Sequence, residues 1–218
     1  MTDRTVRIKI DGGTVTGVRT PAKGAARWTF VYAPGAGSNV HDPFGAYAAR
    51  ELAAHGVATL RFQFPYMEAG RRGPDRPPVL EAAWRAAIEA ARGDGARLVV
   101  GGRSMGGRIA SQVVAQGVAV DALALFAYPL HPPGKPQQLR DAHLPSIKAP
   151  VLFCSGTNDA FASPDELRAA AKKVRRSVVH LLEAADHGFA VPKASGRTRQ
   201  DVWAEAVGAM VRWLETLE

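Results

Sequence analysis

The sequence of 218 residues contains a single cysteine, Cys154, and this scarcity excludes several kinds of site. One thiol cannot form an internal disulfide bond or supply a multi-thiolate metal centre. Because Cys154 lies in a short apolar run, we predict that it is a buried small hydrophobic residue. His41 and His131 lack the local spacing of metal ligands, so we expect no metal ion and no other cofactor.

The chain also lacks a long hydrophobic run. No stretch approaches the roughly 20 apolar residues that cross a bilayer, and residues 1–7 lack the apolar segment of a secretion signal. We therefore expect a cytoplasmic protein that does not bind membranes. Hydrophobic residues make up 46% of the chain and charged residues 22%, which is typical of a globular protein, and the length fits one domain over 1–218.

Acidic residues are fewer than basic ones, 20 against 28, which gives a formal net charge of +8. Such an excess favours nucleic acids or other anionic partners where the charges gather on one surface. Here the basic residues are scattered, and the sequence contains no helix-turn-helix, zinc-finger or aromatic-basic stacking motif. We expect no specific nucleic-acid binding, and the sequence leaves the oligomeric state open.

Short apolar runs alternate along the chain with longer segments of helical periodicity. After two strands near 4–10 and 14–20, the apolar runs fall at 28–32, 58–62, 98–100, 123–126, 151–154 and 178–182, and the helical segments at 43–55, 79–92, 105–116, 164–174 and 199–217. This alternation predicts an α/β fold with a mostly parallel sheet and helices on both faces. The Pro-rich segments 65–78 and 129–150 are expected to be loops. The second, about 20 residues long, is too short for an independent cap domain.

One glycine-rich segment follows the apolar run at 98–100 and leads directly into a helical segment. Residues 102–106 are Gly-Arg-Ser-Met-Gly, the G-x-S-x-G pattern of a nucleophile on a tight strand-to-helix turn. The glycines allow close approach of neighbouring backbone, and the helix start leaves the Met105 N–H free to face an oxyanion. Ser104 is therefore a candidate nucleophile. The alternative is a glycine-rich turn with a bystander serine.

A nucleophilic serine needs a histidine base and a carboxylate that orients the base. Asp159 follows the apolar run at 151–154, and His187 follows the last predicted strand, so that the chain order is Ser104, Asp159, His187. Asp186 is the rival acid. Neighbours in sequence rarely direct both side chains to one ring geometry, so we rank Asp186 as a supporting or surface residue.

A second oxyanion donor is expected from residues 33–38, Ala-Pro-Gly-Ala-Gly-Ser, which follow the apolar run at 28–32. The predicted donor is the Ala36 amide, with Gly37 beside it. The segment lacks the lysine of a phosphate-binding loop and the full G-x-G-x-x-G spacing, so we do not expect a nucleotide site.

Several other residues at the predicted carboxyl ends of strands are candidates for a substrate pocket. They are Gly37, His41, Tyr66, Met67 and His131. Ordinary loop packing is the alternative for each. Arg103 is predicted to form a buried ion pair with an acidic residue such as Glu68 rather than to contact substrate.

These segments together resemble the α/β-hydrolase superfamily over nearly the whole chain. Residues 64–68, Phe-Pro-Tyr-Met-Glu, and 128–134, Tyr-Pro-Leu-His-Pro-Pro-Gly, are further similar to a small, largely uncharacterised bacterial branch. That branch is similar to dienelactone hydrolases and to the hydrolase-like domain of a eukaryotic chromatin-complex subunit. The resemblance implies the fold and the triad roles but no firm substrate. Dienelactone hydrolases carry Cys where this chain has Ser104, so we do not expect this chain to share their substrate. Epoxide hydrolases and haloalkane dehalogenases need Asp at that position, so their activities are disfavoured.

The leading hypothesis is a carboxylesterase-like serine hydrolase that cleaves esters or thioesters of small molecules through an acyl-enzyme on Ser104. The alternative is a catalytically silent binding or scaffold protein on the same fold, which the similarity to a chromatin-complex subunit suggests.

Overall fold

Eight strands form one sheet within residues 2–93 and 95–217, the part of the chain that this computed structural model describes. The strands are β1 (Arg4–Ile10), β2 (Gly13–Thr20), β3 (Trp28–Ala33), β4 (Val57–Phe62), β5 (Arg97–Arg103), β6 (Ala122–Phe126), β7 (Val151–Gly156) and β8 (Ser177–Leu182). Their spatial order is β1-β2-β4-β3-β5-β6-β7-β8. The β1–β2 and β2–β4 pairs are antiparallel and the pairs from β4 to β8 are parallel, which confirms the predicted sheet.

Helices cover both faces of this sheet, as predicted. They are α1 (Pro43–Ala53), α2 (Pro65–Glu68), α3 (Pro77–Ala91), α4 (Met105–Ala115), α5 (Pro164–Ala171) and α6 (Arg199–Glu215). The apolar residues of α3, α4 and α5 belong to the core on one face, and those of α1 and α6 to the core on the other. The short helix α2 lies in the Pro-rich segment 65–78, where the sequence predicts only a loop.

The central strands are apolar throughout because both of their faces are buried. All six residues of β3 are buried, with Val31 facing the layer of α3 and α4 while Phe30 and Tyr32 face the layer of α1 and α6. Cys154 in β7 is fully buried, as predicted, and burial raises the pKa of its thiol. The thiol therefore packs as a hydrophobic group.

The connection between β6 and β7 contains one short 3-10 turn, Leu144–Ser146, and otherwise runs as irregular chain. Across residues 2–93 and 95–217 no separate cap domain covers the sheet, in agreement with the prediction. None of the described helices combines the length and the apolar character needed to cross a bilayer.

The parallel arrangement positions the predicted site. Because β3, β5, β7 and β8 run in the same direction, their carboxyl ends lie along one edge of the sheet. The residues that follow them, Ala36, Ser104, Asp159 and His187, are thereby brought to the same edge, where open α/β sheets bind their ligands.

Candidate active site

Ser104 occupies a strained turn between β5 and α4. Its backbone has a φ of 50° and a ψ of −120°, a combination that residues other than glycine rarely adopt. Its N–H donates to the carbonyl of Phe126 at 2.9 Å, and its own carbonyl accepts from the N–H of Arg108 at 3.0 Å. Hydrogen bonds to a strand on one side and to a helix on the other hold the turn in this conformation.

Two glycines let this turn pack directly against the end of β3. A Cβ atom on Gly102 would lie 2.0 Å from the carbonyl oxygen of Ala33, and one on Gly106 would lie 2.1 Å from the same oxygen. Gly102 also has a φ of +146°. The structure therefore explains physically why glycines stand on either side of Ser104.

The structure brings Ser104, His187 and Asp159 into one hydrogen-bonded chain. His187 Nε2 lies 2.9 Å from Ser104 Oγ, and His187 Nδ1 lies 2.9 Å from each carboxylate oxygen of Asp159. The Asp159 side chain is fully buried, whereas that of His187 is 19% exposed. The ring of Phe161 stacks on the imidazole with centroids 4.0 Å apart. The carboxylate and the aromatic ring together fix the orientation of the imidazole.

The loops that carry the acid and the base pack against each other. The N–H of Asn158 donates to the carbonyl of Ala185 at 2.9 Å, and a Cβ on Gly156 would lie 1.9 Å from that same oxygen. This close approach connects the end of β7 to the end of β8. It places Asp159 and His187 opposite each other although 27 residues separate them in the sequence.

Asp186, the rival acid, has a different role in this structure. Its side chain is exposed, and its Oδ1 accepts the N–H groups of Gly188 and Ala190 at 2.8 Å each. Asp186 therefore holds the turn that carries His187, while the imidazole itself contacts Asp159.

The two predicted oxyanion donors, the Met105 and Ala36 amides, belong to residues that border the space in front of Ser104. Within the described chain neither N–H donates to another group, and Met105 as the first residue of α4 has no acceptor one turn earlier. The N–H of Gly37, by contrast, donates to the hydroxyl of Tyr66 at 2.9 Å. Free amides beside a serine hydroxyl are suited to binding an oxyanion.

A pocket of about 360 Å³ opens in front of Ser104. Its lining includes two apolar residues, Pro129 and Phe161, and three cationic residues, Arg103, Arg108 and Arg140. Arg108 and Arg140 are not among the site residues predicted from the sequence. Arg108 could have been found, since it lies four residues after Ser104 and therefore on the same face of α4. Arg140 lies in irregular chain and gives no such signal.

The structure places the other pocket candidates outside this lining, and their interactions explain why. The N–H of Gly37 donates to the hydroxyl of the fully buried Tyr66, so the tyrosine helps to hold the glycine-rich loop in place. Met67 packs against the apolar core, and His41 is exposed. His131 is buried, with Nδ1 2.9 Å from the carbonyl of Pro132 and Nε2 3.4 Å from a Glu166 oxygen.

Arg103 pairs with a buried acidic residue, as predicted, but that residue is Asp42 and not Glu68. Arg103 Nη1 lies 3.8 Å from Oδ1 of the buried Asp42, whose Oδ2 accepts the hydroxyl of Tyr32 at 2.5 Å. Burial raises the pKa of Tyr32, and the charge of Asp42 raises it further, so the phenol stays protonated as a donor. Glu68 instead accepts hydrogen bonds from Arg7, Thr16 and Gln63.

The sheet order, the turn at Ser104 and the Ser–His–Asp arrangement define an α/β-hydrolase fold. A family model described as "Alpha/beta hydrolase domain" matches residues 26–215, and the chain belongs to this family. The resemblance to the α/β-hydrolase superfamily is thereby confirmed.

Solved structures show the same fold over nearly the whole chain. A serine hydrolase homologue from Coxiella burnetii is 18% identical with a TM-score of 0.79, covering 98% of each chain. A dienelactone hydrolase from Anabaena variabilis is 18% identical with a TM-score of 0.78, covering 99% of this chain and 97% of that one. A serine hydrolase without lid from Xanthomonas campestris is 16% identical with a TM-score of 0.75, covering 98% and 95%. At these identities the likeness concerns the fold alone.

Proposed function

We propose that the protein is a serine hydrolase that cleaves carboxylic ester or thioester bonds of small molecules. The observation that carries this proposal is the hydrogen-bonded chain from Asp159 through His187 to Ser104, with 2.9 Å at each contact. A buried carboxylate that orients an imidazole toward a serine hydroxyl is the arrangement that activates serine as a nucleophile.

In the first half of the reaction, Ser104 Oγ attacks the carbonyl carbon of the substrate while His187 Nε2 takes the hydroxyl proton. The negative charge on the carbonyl oxygen is stabilised by the Met105 and Ala36 amides and by the amino end of α4. When the carbonyl re-forms, the bond to the leaving oxygen or sulfur breaks. His187 gives its proton to the leaving group, which departs as an alcohol or a thiol.

In the second half, water attacks the acyl group on Ser104 while His187 Nε2 takes a proton from the water. Collapse of the second tetrahedral species breaks the bond between the acyl carbon and Ser104 Oγ. The proton on His187 returns to that oxygen, and the carboxylic acid leaves. Throughout both halves Asp159 stabilises the protonated imidazole and keeps Nδ1 as the nitrogen that bears the permanent proton.

A fluorophosphonate probe and a series of 4-nitrophenyl esters with graded acyl length test this proposal together. We expect the probe to label Ser104, and we expect hydrolysis of the shorter esters, because the pocket measures about 360 Å³. Ser104→Ala should abolish labelling and lower kcat at least about 1,000-fold. Ser146→Ala, at an exposed serine in the short turn before β7, is the matched control and should retain the parent rate.

The opposite outcome identifies the alternative function. If the folded parent resists the probe and hydrolyses none of the esters, the site is catalytically silent and a binding or scaffold role replaces the proposed one. Circular dichroism of each preparation separates that outcome from simple unfolding.

A further inference from the structure

The pocket in front of Ser104 is cationic. Arg103, Arg108 and Arg140 all line it. Among the described residues, one carboxylate lies within 4.0 Å of these guanidinium groups: Oδ1 of Asp42 is 3.8 Å from Arg103 Nη1. Within the described chain no carboxylate oxygen lies within 4.0 Å of the Arg108 or Arg140 guanidinium.

The carboxylate of Asp141, which adjoins Arg140 in the sequence, is already paired. Its Oδ2 lies 2.7 Å from the Lys173 ammonium, and its side chain is 9% exposed. The positive charge in the pocket is therefore not neutralised from this side.

The guanidinium groups also retain unused donors. Nε of Arg108 and Nε of Arg103 are buried without a hydrogen-bond partner. The other contacts of Arg108 and Arg140 are long: Nη1 of Arg108 lies 3.4 Å from Gln112 Oε1, and Nη1 of Arg140 lies 3.5 Å from the carbonyl of Pro129. The buried Nε atoms are closed to a ligand, but the Nη groups of Arg108 and Arg140 make only these long contacts with the described residues, so they can bond a ligand without breaking a strong internal one.

The guanidinium groups of Arg108 and Arg140 also repel each other. Burial lowers the pKa of Arg108, and the positive charge of Arg140 lowers it further. Arginine nevertheless stays protonated, so the folded protein keeps two like charges close together in a partly desolvated site. An anion bound between them would offset both the desolvation and the repulsion.

We infer that this pocket selects esters or thioesters that carry a carboxylate, which Arg108 and Arg140 bind while the scissile carbonyl meets Ser104. The inference rests on the proposed function and specifies its substrate class. Arg108 is one helical turn beyond Ser104, on the order of 6 Å along the axis, and helical side chains lean toward the amino end, here toward the serine. The carboxylate should therefore lie a few bonds from the scissile carbonyl.

Two pairs of substrates that differ in one charge test the inference. Monoethyl glutarate and ethyl 4-carbamoylbutanoate place a carboxylate or its neutral amide on the acyl side. The pair 4-acetoxybenzoate and 4-acetoxybenzamide places them on the alcohol side. We expect kcat/KM to be at least about 10-fold higher for the carboxylate in one pair, which then identifies the side that faces the arginines. Equal values in both pairs, or a preference for the amides, would overturn the inference.

Variants connect the preference to the residues. Arg108→Gln and Arg140→Gln should each lower the ratio of carboxylate to amide kcat/KM toward one, and Arg108→Lys should retain part of it as a point charge. Arg168→Gln, which removes an exposed arginine of α5, is the control of equal charge and should leave the ratio unchanged. If Arg108→Gln does not fold, Arg140→Gln in the irregular connection still decides the question. An unchanged ratio in Arg140→Gln and Arg108→Lys would contradict the assignment.

Binding without turnover separates this inference from the proposed function. In Ser104→Ala, calorimetric titration with at least one of the two carboxylates, monoethyl glutarate or 4-acetoxybenzoate, should give a Kd at least about 10-fold lower than titration with its neutral amide. Preferential binding of the carboxylate, combined with a parent that hydrolyses no ester, would disprove the hydrolase while supporting the anion site. Turnover of the carboxylate and amide esters by the parent without preference, together with equal binding of both by Ser104→Ala, would disprove the anion site while supporting the hydrolase.

Discussion

At the scale of single residues, the two nitrogens of His187 face different oxygens. Nε2 meets the Ser104 hydroxyl and Nδ1 meets both oxygens of Asp159, while Asp186 turns its carboxylate to the backbone of the loop. An imidazole that donates from Nδ1 to a buried carboxylate presents Nε2 as an acceptor. The proposed base therefore depends on Asp159 for its tautomer, and on Asp186 only for the shape of its loop.

Asparagine at the two acidic positions should distinguish these roles. Asp159→Asn should lower kcat about 1,000- to 10,000-fold with the fold intact, because an amide donor at Nδ1 favours the wrong tautomer. Asp186→Asn keeps an Oδ1 acceptor for Gly188 and Ala190, so its kcat should stay within a few-fold of the parent. Ester hydrolysis by the two purified variants measures this. A larger loss in Asp186→Asn than in Asp159→Asn would reverse the assignment of the acid.

Some of the site residues could be predicted from their position in the sequence, and others could not. Ser104, Asp159 and His187 each follow a recognisable strand, and parallel strands bring such positions to one edge. Phe161 and Arg140 lie in irregular chain, where no periodicity indicates the direction of a side chain. Phe161 lies beside His187 and Arg140 lies in the pocket because of the path that their loops take. Backbone hydrogen bonds determine this path, for example the one from the Arg140 N–H to the Leu130 carbonyl at 2.8 Å.

At the scale of elements, the site depends on how closely α4 and β5 approach β3. The carbonyl of Gly106 accepts the indole N–H of Trp84 in α3 at 3.1 Å, and its Cα faces Ala33 and Pro34 at the end of β3. The same short segment continues into Ala36, the proposed second oxyanion donor. Packing at Gly106 therefore affects both stability and the geometry of the oxyanion site.

A methyl group at Gly106 should disturb this contact. Gly106→Ala would place Cβ 2.1 Å from the Ala33 oxygen and 2.6 Å from the Pro34 oxygen, so backbone must move. We expect the free energy of unfolding to fall by about 1–3 kcal/mol, although alanine is the better helix former. Urea denaturation measures the change, and fluorophosphonate labelling of Ser104 should slow in parallel.

The matched control is Gly208→Ala, within α6. Its Cβ would lie 3.2 Å from the flexible end of Arg212, which can move aside, so helix propensity should make this variant as stable as the parent or up to about 1 kcal/mol more stable. A Gly106→Ala protein as stable as Gly208→Ala would show that the backbone contact at Ala33 is not restrictive.

Element boundaries show why periodicity is informative but incomplete. The sequence predicts a helix over 164–174, whereas α5 ends at Ala171. Val174 fits the apolar spacing because it is buried in the core, 3% exposed, although it lies beyond the helix. The short helix α2 (Pro65–Glu68) contains one turn, too few residues for a period to be recognised. The longer helices and the buried strands were predicted because their apolar faces repeat several times.

At the scale of the whole molecule, the antiparallel hairpin of β1 and β2 is attached to the parallel sheet partly through one carboxylate. Glu68 in α2 accepts bonds from Arg7 in β1 at 2.6 Å, from the Thr16 N–H in β2 at 2.8 Å, and from Gln63 at 2.7 Å. Burial alone would raise the pKa of Glu68, but the hydrogen bonds from Thr16, Arg7 and Gln63 outweigh it and lower the pKa to about 2. The ionised form is therefore favoured by folding.

Acid should remove this contribution in a defined pH window. A carboxylate whose pKa falls from 4.5 in the unfolded chain to about 2 in the folded protein contributes stability above pH 4.5, and that stability is lost as the pH falls toward 2. Because Glu68 is partly exposed, solvent screening reduces what this shift contributes, so Glu68→Gln should lower the free energy of unfolding by about 1–2 kcal/mol at pH 7, with the difference from the parent shrinking steadily below pH 4.5. Glu183→Gln, at an exposed carboxylate that accepts no hydrogen bond within the described chain, should follow the parent at every pH. Urea denaturation from pH 7 to pH 2.5 measures the free energy of unfolding of all three proteins. If the difference between Glu68→Gln and the parent stays constant with pH, the Glu68 carboxylate is not the acid-sensitive attachment of the hairpin.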